Sequence, residues 1–115
     1  MRTSQRKRHL AVATAAIALT LGAAPALAAC FEDVGCTNDH NIPKWQLQKL
    51  SCDALWTVRN TIFHENGYCF KTKRALSVYN NDGCHYQNSG DVPLNPYESA
   101  NVSRVSSVEK QKGCN

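Results

Sequence analysis

The sequence predicts a mainly α domain, a small disulfide-stapled bundle of three helices with irregular loops, preceded by a signal peptide. Three observations carry that expectation. The first 28 residues have the order of a secretory leader, and six cysteines (Cys30, Cys36, Cys52, Cys69, Cys84 and Cys114) all lie beyond it. Three later segments carry apolar side chains at helical spacing between cap and stop residues.

The leader reads over residues 1–28. Arg2, Arg6, Lys7 and Arg8 form its basic start, Leu10 to Leu21 its apolar run, and Ala26, Leu27 and Ala28 the small-residue exit a signal peptidase accepts. A run of 12 residues falls short of the ~20 that span a hydrocarbon core, so no transmembrane segment is expected once the leader is removed. The formal charge of +4 belongs to this leader, which holds four of the 13 Lys and Arg residues and none of the nine acids. Beyond it bases and acids balance, and only Lys71, Lys73 and Arg74 group tightly, so the charge carries no nucleic-acid footprint.

What remains suits one domain with a modest apolar core that needs covalent support. An even cysteine count in a short exported chain reads as three bridges and a periplasmic or extracellular setting. Leu27, Ala28, Ala29 and Cys30 also resemble the lipobox of bacterial lipoproteins, in which Cys30 would carry a lipid anchor and five thiols would be left. Parity favours ordinary cleavage after Ala28 and leaves the anchor as the alternative.

Residues 29–46 read as an irregular N-terminal loop, with Gly35, Asn38, Asp39 and Asn41 favouring turns up to about Pro43. Residues 47–115 read as the helical domain, approached through a short turn around Trp45, Leu47 and Leu50. Ser51 is a natural N-cap for the first helix, Asp53 suits its positive end, and Gly67 after Asn66 stops it. Leu55, Arg59, Ile62 and Phe63 share a face of that helix, with Trp56 beside them. A second helix runs from about Thr72 to Tyr79 and ends in the turn-forming run Asn80 to Gly83. The last begins with Asn95 as cap, Pro96 at the first helical position and Glu98 where a capping-box carboxylate belongs, and continues to about Lys112. Val102, Val105 and Val108 are its apolar positions.

Helix length prunes the disulfide pairings. At 1.5 Å per residue, Cys52 and Asn66 stand ~21 Å apart. Three more residues at ~3.6 Å each cannot return Cys69 to within the ~7 Å a bridge needs, so a continuous helix excludes Cys52–Cys69. Laying the last helix antiparallel on the first puts Cys114 beside Cys52. Cys69 and Cys84 flank the short helix, and Cys30 and Cys36 close a local loop. Those three pairs are the expectation, with Cys36 bonded to Cys52 as the alternative.

The stretch from Leu55 to Lys71 resembles the core of the YARHG domain family, named for a Tyr-Ala-Arg-His-Gly run after a Leu-Trp-x-x-Arg-Asn-x-Ile segment. Leu50, Ser51, Leu55, Trp56, Arg59, Asn60, Ile62, Gly67, Phe70 and Lys71 follow the pattern. Phe63, His64, Glu65 and Asn66 stand where the name has Tyr, Ala, Arg and His, so any role of that Arg and His does not transfer. Leu94, Asn95, Glu98 and Asn101 look like the family's closing segment, and the resemblance spans roughly residues 47–112. It implies an extracellular bacterial domain, found beside peptidoglycan-binding and signalling modules, with no established activity.

No catalytic constellation stands out. His64 and Glu65 are adjacent on a helix and point about 100° apart, and a zinc-protease helix would need His where Tyr68 stands. His40 near Cys36 and His85 near Cys84 lack metal-ligand spacing, and bridged cysteines cannot also be thiolate ligands. Neither a metal nor a cofactor is therefore expected. Arg59, on an apolar stripe, needs a carboxylate, with Glu98 the natural partner and Glu109 the alternative. Tyr68, Phe70, Tyr79, Tyr86 and Tyr97 cluster around the loops and read either as core or as rings that stack on sugars or a partner.

The functional expectation is a non-catalytic binding module associated with an envelope component, peptidoglycan or another protein. Two alternatives stand beside it. A hydrolase of wall glycans would pair Glu65 or Glu98 with Asp53 or Asp91. An inhibitor of a secreted hydrolase would offer an anchor side chain between Cys84 and Pro93.

Overall fold

A computed structural model describes residues 29–115, so the leader reading of residues 1–28 lies outside the described residues. The chain runs through a minimal antiparallel hairpin, β1 (Cys30–Phe31) and β2 (Gly35–Cys36), then α1 (Lys44–Gln48), α2 (Cys52–Glu65), α3 (Lys73–Val78), a 3₁₀ turn at Ser89–Asp91, and α4 (Pro96–Gln111). The three expected helices are present, and the turn around Trp45 is one turn of helix.

Caps set the helix ends. Ser51 Oγ accepts the Ala54 amide, Thr72 Oγ1 accepts the Ala75 amide, and Asn95 Oδ1 accepts the Glu98 amide at 2.8 Å. Glu98 Oε1 in turn accepts the Asn95 amide at 3.0 Å, which completes the capping box. Lys112 donates from its ammonium to the carbonyls of Gln48 and Leu50, closing the negative end of α1.

Helices α2 and α4 lie antiparallel, because the start of one is tied to the end of the other at both extremes. Cys52 is bonded to Cys114, and at the far end Asn66 Nδ2 donates to Glu98 Oε2 at 2.7 Å. Between them Leu55, Val58 and Ile62 meet Val105 and Val108, all 0 to 2 % exposed, with Leu47 and Leu50 closing one side. Each such side chain contributes about 1.5–3 kcal/mol by leaving water.

Arg59 pairs with Glu109, and Glu98 is not its partner. Nε donates to Oε1 at 2.6 Å and one terminal nitrogen to Oε2 at 3.2 Å. The antiparallel register explains the choice: Glu98, opposite the C-terminal end of α2, is already held by Asn95 and Asn66.

The N-terminal segment is part of this core. Val34 and Ile42 are buried in the α2–α4 cluster, and Asn101, fully buried on α4, pins the chain leading to them. Its Oδ1 accepts the Ile42 amide at 2.9 Å, and its Nδ2 donates to the carbonyls of Thr37 and His40. Arg104 adds a donor to the Ile42 carbonyl. Gly35 turns the hairpin with φ +76°, and a β-carbon there would come within 3.0 Å of the His40 ring. Cys30–Cys36 closes the same hairpin.

A second cluster forms on another face of α2, where Trp56 and Phe63 pack toward Phe70, Ala75 and Tyr79. Phe70 and Tyr79 stack at 4.9 Å, and Tyr79 hydroxyl reaches Thr61 and the Thr57 carbonyl. Arg74 lies 4.1 Å over the Trp56 ring and donates to Asp53.

Candidate functional site

The turn after α2 and the loop after α3 meet to form an open groove of about 380 Å³. Gly67 makes the turn, with φ +88°, and its carbonyl accepts the amides of both His85 (2.8 Å) and Tyr86 (3.0 Å). The Cys69 amide returns a bond to the Tyr86 carbonyl at 2.8 Å. A β-carbon on Gly67 would meet the Tyr86 ring at 3.4 Å, an ordinary contact, so it is the left-handed conformation that calls for glycine. Cys69–Cys84 locks the two segments, and Asn81 bridges them by exchanging hydrogen bonds with the Phe70 amide and carbonyl. The groove floor is therefore main chain that cannot easily move.

Its walls carry His64, Glu65, Tyr68, Asp82, His85 and Tyr86. No Lys or Arg lines it, and the ion pairs among the described residues lie elsewhere, so Glu65 and Asp82 have no Lys or Arg partner in the groove. The His64 ring is held 5.0 Å from Tyr79 and 6.3 Å from Phe70, and the residue lines the groove. Among the described residues no three His, Cys, Asp or Glu side chains gather as a metal site, no cysteine is free, and no helix is long and apolar enough to cross a membrane.

The residues that carry the family resemblance mostly build the scaffold. Leu55 and Ile62 fill the core, Trp56 and Phe70 the aromatic cluster, and Asn60 donates to the Trp56 carbonyl. Arg59 and Glu98 fix α4. Only Gly67 of that set lines the groove. The YARHG domain model matches residues 32–110. The chain belongs to the YARHG domain family. The match begins upstream of the segment that carries the resemblance, in keeping with a YARHG core that includes Val34 and Ile42. No curated protein and no solved structure matches the chain.

The carboxylates weighed for hydrolysis do not converge. Glu98 is buried in the capping box, Asp53 sits at the start of α2 with Arg74, and Asp91 accepts from Asn88 in the 3₁₀ turn. Two carboxylates do share the groove, but they are Glu65 and Asp82. Asp82 escaped the sequence reading because a polar run after a helix is indistinguishable from a stop signal until Cys69–Cys84 folds it back. Between Cys84 and Pro93 no large apolar side chain is exposed. Of the loop aromatics, Phe70 and Tyr79 are buried, Tyr68 packs on Phe63, and Tyr97 is exposed on α4.

Proposed function

We propose that this YARHG protein is an exported, non-catalytic binding module of the cell envelope, periplasmic or extracellular, whose groove takes a positively charged group. The observation that carries the reading is the pair of unpartnered carboxylates, Glu65 and Asp82, beside Tyr68 and Tyr86 on a disulfide-locked floor. Acids without counter-ions favour an ammonium or guanidinium, and adjacent aromatic faces add cation–π attraction. Three disulfides with no free cysteine among the described residues support an oxidising compartment. Cys30–Cys36 supports a protein without a lipid anchor, since a bridged sulfur cannot also form a thioether to a lipid.

Peptidoglycan, whose peptides carry free amines, is the partner to test. Oxidised protein is sedimented with the purified polymer before and after its amines are acetylated, alongside Glu65→Gln/Asp82→Asn. Retention that falls on acetylation and in the double variant, with unchanged melting temperature, is the expected result. Equal retention in all arms, or none at all, defeats the proposal.

A hydrolase is the second reading, favoured by the presence of two carboxylates in one groove. It requires release of reducing ends from wall glycan that stops in Glu65→Gln.

A further inference from the structure

Most aromatic rings of the domain have a structural occupation. Trp56 lies under Arg74 and beside Tyr79; Phe63, Tyr68, Phe70 and Tyr79 pack on one another; Tyr86 sits against Gly67. Trp45 on α1 differs, being 56 % exposed in a domain whose core is short of apolar mass. Lys49 covers one of its faces at 4.8 Å. The ring borders a cavity of about 290 Å³ that Asp33, Gln46, Lys49 and Leu50 also line. Asp33 and Leu50 are shared with a second crevice of about 170 Å³, whose remaining walls are Phe31, Val34, Ala54, Thr57 and Val58. The two cavities adjoin at Asp33 and Leu50, with an indole and polar groups lining the first and mostly apolar side chains of the hairpin and α2 lining the second. Neither shares a residue with the Glu65–Asp82 groove.

We propose that these two adjoining cavities act together as a binding subsite for a 2-acetamido sugar, whose pyranose ring lies on Trp45 and whose acetamido methyl enters the apolar crevice.

The chemistry matches part by part. A pyranose has a face of C–H bonds that packs on an indole and an edge of hydroxyls that needs hydrogen-bond partners. Asp33 offers a charged acceptor, and the Gln46 amide offers a donor and an acceptor. The acetamido group ends in a methyl, and Val34, Ala54 and Val58 provide the dry walls that reward its burial. A purely apolar ligand would make no use of Asp33 and Gln46, and a plain hexose would leave the second crevice unfilled. Lys49 stands where a carboxylate on a neighbouring substituent would be neutralised, which separates two sources of the same chemistry. These are glycans of N-acetylglucosamine alone and wall glycans that alternate it with a carboxylate-bearing acetamido sugar.

The test is titration of the oxidised chain, followed by NMR of its two indole N–H signals. The ligands are the tetramer of N-acetylglucosamine, the peptidoglycan tetrasaccharide and, as control, the glucose tetramer. The Trp45 signal, assigned by its loss in Trp45→Ala, should shift with both acetamido ligands while that of Trp56 stays. Affinity should fall about 30-fold in Trp45→Ala, as for a central aromatic anchor, and less in Trp45→Phe, which keeps a ring. Tighter binding of the peptidoglycan fragment that is lost in Lys49→Gln assigns the site to wall glycan; equal binding of the two assigns it to N-acetylglucosamine polymers. The proposal is overturned if Trp45→Ala binds as well as the parent, if the glucose tetramer binds as well as the acetamido ligands, or if none of the three binds. Loss of amine-dependent sedimentation in Glu65→Gln/Asp82→Asn leaves this titration unchanged, so the two sites stand or fall separately.

Discussion

The two apolar clusters that share α2 are stabilised in different ways. Toward α4 the contact is aliphatic: Leu55, Val58 and Ile62 against valines, almost without exposure, with Cys52–Cys114 joining the far ends of a 62-residue separation. Toward α3 it is aromatic and partly wet. Stacked rings are tied by a tyrosine hydroxyl and by Cys69–Cys84 across 15 residues. The first arrangement gives the domain its stability, and the second gives the groove an accurately placed wall. A small domain divides these tasks because its core is too small for one cluster to do both.

Removing each bridge is the strongest way to break that contrast. Cys52→Ser/Cys114→Ser should lose about 4 kcal/mol and Cys69→Ser/Cys84→Ser about 3 kcal/mol in urea unfolding, following the loop lengths each bridge closes. The groove should respond in the opposite order, with the Cys69–Cys84 variant releasing the Tyr86 amide to exchange first. Leu55→Ala should cost about 3 kcal/mol, a fully buried leucine with little room to collapse. A cost below ~1 kcal/mol, within the range of an ordinary surface change, would mean that the α2–α4 contact is not the main core.

Asn101→Ala should cost about 2 kcal/mol, because it strands the buried Ile42 amide and two carbonyls, and hydrogen exchange at Ile42 should accelerate with it. On the aromatic side, Tyr79→Phe should lose only about 1 kcal/mol, the net worth of its hydroxyl bonds. Burial raises the Tyr79 pKa above 10.0, against a smaller lowering from the Thr61 hydrogen bond. That contribution is complete below the unfolded value and is lost as pH rises through the folded one, so the parent should weaken in strong alkali more steeply than Tyr79→Phe.

The smallest effect concerns His40. Its Nδ1 faces the Asp39 carboxylate at 2.7 Å and its Nε2 the Val34 carbonyl at 3.1 Å, two acceptors that only the imidazolium can serve together. The Asp39 hydrogen bond is the main reason its pKa is raised from 6.5. The hairpin should therefore be most protected from exchange below about pH 6.5 and lose that increment as pH rises through the folded value. A pH-independent difference between the parent and His40→Gln would dispose of this switch.

The legible parts of the fold were the local ones. Ser51, Asn95 and Glu98 announce their helices because a cap is satisfied within four residues of chain. The partner of Arg59 needed the register of two helices, and the sequence could narrow it only to Glu98 or Glu109. Burial of Asn101 was hidden because its three partners lie about sixty residues upstream. The groove was illegible for the same reason: Glu65 and Asp82 meet only through the Gly67–Tyr86 pairing. Trp45 reads from the sequence as part of a short turn, but its exposure depends on how one turn of helix lands on the core.

Asn101 ties the beginning of the folded domain to its end. Residues 34–42 therefore gain this anchor only when α4 packs, through contacts across about sixty residues of chain. Such a long-range closure has high contact order, which slows folding. Cys30 and Cys36, six positions apart, can join before that closure and remove two thiols from competition with Cys52 and Cys69.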